Sequence, residues 1–250
     1  MANNKNILIG GITGGLGARI AHRLLAGGHT VAGFARDKDR LEKLKESHEG
    51  LHTASCDATD PEAVESTFAK FAESMGSIDA YIHAVGSIFI KPAHATSLED
   101  WKNTLETNLY SAFFALKSAA GRMQKRGSGN CLFFSTSAAQ IGIANHEAIA
   151  AAKGGIDAMV RSAAATYASR GVRINAIAPS LMDTPLSKPI TANEKSLDLS
   201  KQMHPLGAIT DPEDVASLAE WLVSDQAKFV TGQTYVVDGG LSRIVPKPKA

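Results

Sequence analysis

Seven apolar runs of strand length recur along the chain, at 7–9, 30–35, 51–56, 80–84, 131–134, 172–178 and 234–237, and most are continuous rather than alternating. A strand with one wet face alternates, whereas a strand buried on both faces does not, so these runs point to a parallel sheet covered on both sides. Helix-like stretches fill the intervals, at 17–25, 40–46, 61–75, 98–126, 147–169 and 212–224. Strand–helix alternation over the whole length predicts an α/β fold, a doubly wound parallel sheet with helices on both faces. No internal repeat or low-complexity linker interrupts it, and 250 residues at 44% hydrophobic suffice for one core, so a single domain over 1–250 is expected. Residues 183–206 break the rhythm with Thr184-Pro185, Lys188-Pro189 and His204-Pro205, ahead of a helix start at Asp211-Pro212-Glu213. An irregular insertion of that length in a compact domain reads as a lid over a site.

Composition narrows the function classes. With 26 basic and 25 acidic residues the net charge is +1, which gives nucleic acid or a membrane surface no bulk charge to bind. Cys56 and Cys131 form neither a disulfide framework nor a metal-ligand cluster. No apolar run reaches membrane-spanning length, and the opening Met-Ala-Asn-Asn-Lys-Asn leads straight into the first strand pattern with no secretory leader. The expectation is a cytoplasmic protein with no metal and a loose surface tail at 246–250.

The first strand runs into Gly10-Gly11-Ile12-Thr13-Gly14-Gly15-Leu16-Gly17, and a helix-forming stretch follows. Glycines at 11, 15 and 17 let the backbone approach a pyrophosphate, and the helix N-terminus offers free N–H groups and a partial positive charge. Gly11, Thr13, Gly15, Leu16 and Gly17 are therefore candidate cofactor contacts. The second strand ends Phe34-Ala35-Arg36-Asp37. NAD sites usually place an acid at this tip for the ribose 2′-hydroxyl; here Ala35 and Arg36 stand instead, and a guanidinium pairs with a 2′-phosphate. The pattern selects NADP(H). The plainer reading is that Arg36 is a solvated charge and that Asp37 caps the next helix.

From about Asn6 to Ser242 the chain resembles the short-chain dehydrogenase/reductase family, a Rossmann-type fold. The resemblance rests on the glycine turn, on Asp57-Ala58 after the third strand, on 79–86 ending His83-Ala84-Val85-Gly86, on Asn108, on Arg173 to Pro179 with Thr184 beyond, and on Val230-Thr231-Gly232-Gln233 and Val237-Asp238-Gly239-Gly240. It implies that Asp57 and Ala58 contact the adenine, that Gly86, Lys153, Pro179 and Thr184 surround the nicotinamide end, and that Asn108 supports a proton relay. It also implies a homo-oligomer, dimer or tetramer, through the two long helices. Ala112, Phe113, Leu116 and Ala119 on one, with Ala152, Ile156, Met159 and Ala163 on the other, are consistent with that.

The resemblance fails at one place. The family carries Ser, then Tyr thirteen residues on, then Lys four beyond; here Lys153 is preceded four residues earlier by Ile149, and thirteen before that by Thr136. Isoleucine neither gives nor takes a proton. His146, seven residues before Lys153, falls on the same helix face, with Asn145 as a candidate N-cap. The enoyl-reductase branch of the superfamily carries its tyrosine at that spacing, and dienoyl reductases have a lysine segment similar to Ala151 through Met159 without the usual tyrosine. His146 is thus either a proton relay or an exposed first-turn residue, and His83 either an acid or a strand-end packing residue. Two functions stay open: an NADP(H)-dependent reductase of a small-molecule carbonyl or activated C=C, using Asn108, Thr136 or Ser135, Lys153 and His146, or a non-catalytic NADP(H)-binding sensor or scaffold. Ile141, Ile143, Ile149, Leu181 and Met182 imply an apolar substrate pocket.

Overall fold

The computed structural model describes residues 4–246. Seven strands form one sheet in the order β3-β2-β1-β4-β5-β6-β7, every pair parallel. They are β1 (Asn6–Gly10), β2 (Thr30–Ala35), β3 (His52–Ser55), β4 (Ala80–His83), β5 (Gly129–Phe134), β6 (Val172–Pro179) and β7 (Thr234–Val237). The helices are α1 (Gly15–Ala26), α2 (Lys38–Glu46), α3 (Pro61–Met75), α4 (Leu98–Leu105), α5 (Ser111–Arg126), α6 (Glu147–Tyr167), α7 (Lys188–Thr191), α8 (Glu194–Met203) and α9 (Pro212–Val223).

The continuous apolar runs have their cause in two cores. Leu8, Tyr81, Cys131, Phe133 and Ile174 point to the side covered by α3, α5 and α6, where Phe68, Leu116 and Ile156 meet them. Ile7, Ile9, Ile82, Leu132 and Ile177 point to the other side, against Ile20 and Leu24 of α1 and Val215 and Leu222 of α9. Successive side chains on a strand face opposite ways, so a sheet with two dry faces must be apolar at every position. Strand order reverses between β1 and β4. Their carboxyl ends diverge there and leave the crevice in which this architecture binds ligands.

Some boundaries differ from expectation. The helix expected over 98–126 is broken by a π-helical turn, Glu106–Tyr110. The stretch 183–206 is not irregular, since it folds into α7 and α8. Asn145 does not cap α6; it takes a left-handed φ of 65°, and His146 occupies the cap position without a side-chain capping bond. Of the tail, 247–250 lie outside the described residues.

Candidate active site

One cleft of about 720 Å³ opens over the carboxyl ends of the strands. Fifteen of the candidate residues named from the sequence line it: Gly11, Thr13, Gly15, Leu16, Gly17, Arg36, Asp57, Ala58, Gly86, Asn108, Thr136, His146, Lys153, Pro179 and Thr184. The topology brings them together from six strand ends and three helices.

At one end lies the turn from β1 into α1. Gly11 has φ +76°, and a Cβ there would strike Ala84 at 2.7 Å, so only glycine lets β1 and β4 approach this closely. A Cβ on Gly17 would collide with the Gly11 carbonyl. No side chain caps α1 and its first turn carries no acid, so its leading N–H groups and dipole are left for an anion. Arg36 is exposed at the tip of β2, and its guanidinium makes no ion pair among the described residues. Asp37 caps α2 by accepting the Arg40 backbone N–H at 3.0 Å, as the plainer reading held. Arg40 lies on the next turn, lines the same cleft and donates to the Thr13 carbonyl oxygen at 2.5 Å. Sequence reasoning passed over it, although a second cation four residues beyond Arg36 was the available signal. Burial alone would raise the Asp57 carboxyl, but hydrogen bonds from the Thr59 N–H at 3.0 Å and hydroxyl at 2.8 Å, with the Arg36 charge, hold it below the usual range.

The other end is more enclosed. Asn108 is fully buried in the π-turn, donating to the Ser87 hydroxyl at 2.8 Å and the Thr104 carbonyl at 2.9 Å while accepting the Ser87 N–H at 3.0 Å. A π-turn pushes one residue out of helical register, which is how Asn108 comes to face the cleft. Lys153 of α6 donates from Nζ to the Phe134 carbonyl at 2.9 Å. Burial lowers its ammonium to about 8, with the Asp157 charge opposing. A Cβ on Gly86 would come within 3.1 Å of Asn108 Oδ1 and 3.5 Å of Lys153 Nζ, so a glycine keeps this corner open. An ammonium has three donors, and one protein partner leaves two for a ligand.

The two hydroxyls before α6 separate. Ser135 is buried and donates toward the Asp157 carboxylate at 3.0 Å and the Lys153 carbonyl at 3.2 Å, which commits it to the scaffold. Thr136 makes only long contacts, with the Pro179 carbonyl and the Ala138 N–H, both at 3.4 Å. Its hydroxyl is the less engaged one at the cleft wall. Ile149 is buried one turn before Lys153 and faces the same cleft. His146 is half-buried at the rim with Nδ1 against the Ala144 carbonyl at 2.8 Å. His83 lies outside the cleft lining. Its ring bridges the Tyr81 hydroxyl at 2.7 Å and the Ser111 hydroxyl at 3.1 Å, and burial, with the Lys153 charge, pushes it down to about 3. It is a neutral packing residue, the second of its two open readings.

A family model described as enoyl-(acyl carrier protein) reductase matches residues 11–242. The chain belongs to the short-chain dehydrogenase/reductase family. It is thus a member of a family of oxidoreductases that use nicotinamide cofactors. Among curated relatives, 3beta-hydroxysteroid dehydrogenase 1 of Eggerthella lenta is 31% identical over 95% of this chain and 94% of its own length. Among solved structures, a short-chain type dehydrogenase/reductase from Mycobacterium ulcerans superposes with TM-score 0.93 at 28% identity, covering 97% of this chain and 91% of that one. A variant of actinorhodin polyketide ketoreductase with NADPH superposes with TM-score 0.90 at 26% identity, covering 98% and 100%.

Three further features of this short-chain dehydrogenase/reductase were not foreseen or need correction. Ser180, Ser200 and His204 line the cleft beside Pro179 and are hydrogen-bonded to one another, although no local motif marks them. Ile141 is outside the apolar wall; the expected Ile143, Ile149, Leu181 and Met182 form it, joined by Ile90, Leu186 and Met203. Ala112, Leu116, Ala119, Ala152, Ile156 and Ala163 pack into the core rather than presenting an outer face; on the helices concerned Leu98, Trp101, Tyr110 and Phe113 are the exposed apolar residues. Among the described residues no helix is long and apolar enough to cross a membrane, and no group of His, Cys, Asp or Glu is placed to hold a metal ion.

Proposed function

We propose that the cleft binds NADP(H) and that the chain reduces a carbonyl or an activated carbon–carbon double bond of a small molecule. One observation carries the reading: a single cleft joins two unneutralised arginine side chains, Arg36 and Arg40, at one end to Lys153, Asn108 and Thr136 at the other. The residues fit the cofactor part by part. Gly11, Thr13, Gly15, Leu16 and Gly17 frame the pyrophosphate at the uncapped start of α1. Arg36, with Arg40 behind it, meets the 2′-phosphate, and Asp57 and Ala58 border the adenine. Gly86, Lys153, Pro179 and Thr184 surround the nicotinamide riboside.

When bound, the nicotinamide supplies hydride. The protein must then stabilise the oxygen on which negative charge develops and provide a proton. Thr136, not Ser135, is free to donate to that oxygen. Ile149 stands where the family's phenol is expected and cannot protonate it. This favours a substrate whose reduced form is a stabilised enolate, such as an enone or enoyl thioester, with the proton returned by His146 at the rim or by solvent. Asn108 is a positioning residue, since its three bonds fix the π-turn against Ser87 beside Gly86. The apolar wall suits an apolar substrate body.

NADPH titration followed by loss of nicotinamide absorbance on carbonyl and enoyl panels tests the reading. Turnover lost in Thr136→Ala with cofactor affinity retained supports it. Tight binding without turnover on any substrate supports instead the non-catalytic sensor or scaffold, the reading that Ile149 favours. We also propose a homo-oligomer through the exposed Leu98, Trp101, Tyr110 and Phe113, and a cytoplasmic setting, where the free Cys56 and Cys131 persist as buried thiols.

A further inference from the structure

Between Ala192 and Ile209, which include all of α8, His204 is the one buried residue. A helix that buries nothing of its own has little hydrophobic hold on the fold. Beside the Leu206 N–H, which donates to the Gly239 carbonyl at 3.1 Å, what ties it to the sheet is a chain of hydrogen bonds through the His204 ring. Nδ1 lies 2.6 Å from the Ser200 carbonyl, and Nε2 lies 2.7 Å from the Ser180 hydroxyl. The Ser180 hydroxyl is 2.6 Å from that of Thr210, which donates to the Val237 carbonyl at 2.9 Å. Both ends of the chain are carbonyls, which only accept.

Four links join Ser200, His204, Ser180, Thr210 and Val237. The ring makes two of them, one at each nitrogen, so losing it breaks the chain next to α8.

We propose that His204 is the positioning residue of the segment over the cleft: its ring, bonded at both nitrogens, fastens α8 to the ends of β6 and β7. The inference does not depend on whether the cleft turns over a substrate. The ionisable groups on the elements packed round the ring are otherwise engaged. Asp198 and Lys201 face each other at 3.8 Å on α8, and Asp183 is held by Lys188 and Thr191. Asp211 caps α9, and Asp238 accepts the N–H groups of Gly240 and Ser242, both at 2.9 Å. Among the described residues none of them is hydrogen-bonded or ion-paired to the ring.

Amide hydrogen exchange across 192–203, corrected for intrinsic rates, tests this on the whole protein in the wild type, in His204→Phe, which keeps volume without hydrogen bonds, and in Ser180→Ala, which removes the ring's partner. In both variants exchange here should run about tenfold faster than in the wild type, while amides of α1 and α6 keep their wild-type rates. If His204→Phe fails to fold, Ser180→Ala alone decides. Wild-type exchange rates across 192–203 in a folded variant overturn the assignment.

Discussion

Lys153 reaches from α6 to the last residue of β5 and donates its Nζ proton to the carbonyl oxygen of Phe134 at 2.9 Å. The bond pins the ammonium at the enclosed end of the cleft, where burial lowers it to about 8 from 10.5. Below pH 8 the folded and unfolded chains both carry the proton, and the cost of burying the charge is fully present. Between pH 8 and 10.5 the folded chain has released it while the unfolded chain still holds it. The Lys153 contribution to stability therefore rises with pH across that window, by at most about 3.4 kcal/mol at 1.36 kcal/mol per unit. Burial pushes the Cys131 thiol up to about 12, which lowers stability above pH 9, so the Lys153 contribution is read as the difference between wild type and Lys153→Met in urea unfolding without cofactor. Profiles of the two proteins that run parallel from pH 8 to 10.5 would show that Lys153 is not desolvated.

Arg36 and Arg40 predict a cofactor preference. NADPH should bind at least tenfold more tightly than NADH, about 1.4 kcal/mol, within reach of one charge-assisted phosphate contact. Arg36→Ala should remove most of that preference and leave NADH affinity nearly unchanged, as read by fluorescence titration. Equal affinity for the two cofactors in the wild type would reject the assignment.

Gly15 meets the segment beyond β6. A Cβ on it would lie 2.8 Å from Pro185 and 3.0 Å from Thr184. Gly15→Val should therefore displace that segment and intrude on the pyrophosphate at once, lowering NADPH affinity more than tenfold while the thermal midpoint moves by only a few degrees. A folded Gly15→Val protein with normal NADPH affinity would put the phosphates elsewhere.

On the proposed reading Ile149 takes the place of the family's phenol. We expect little or no oxidation of secondary alcohols with NADP⁺, because no base occupies the position one turn before Lys153. Ile149→Tyr should keep NADPH affinity within about threefold, since the side chain faces the cleft rather than the sheet, and should add weak carbonyl reduction. Robust alcohol oxidation by the wild type, undiminished in the double variant His146→Ala with Thr136→Ala, would show that the chemistry lies elsewhere.

Much of this molecule is decided by local pattern. Continuous apolar runs such as 131–134 specify strands with two dry faces, and helix stretches between them specify parallel neighbours, so the seven-stranded sheet is legible in the chain itself. Gly11, Gly15 and Gly17 are equally legible, because a turn with positive φ at Gly11 and crowded neighbours at Gly15 and Gly17 can hold little else. So is the four-residue spacing of Ile149 from Lys153. The tertiary structure alone decided the rest. It broke the helix at Asn108 with a π-turn, committed Ser135 to Asp157 and left Thr136 loose. It also made His83 a neutral packing group and gathered Ser180, His204 and Thr210 into one hydrogen-bonded chain. The reason is range. Periodicity and turn chemistry act over a few residues, whereas the His204–Ser180 and Ser180–Thr210 bonds join residues 24 and 30 apart. A polar side chain in a loop carries no local sign of the partner that the sheet's closure will bring to it.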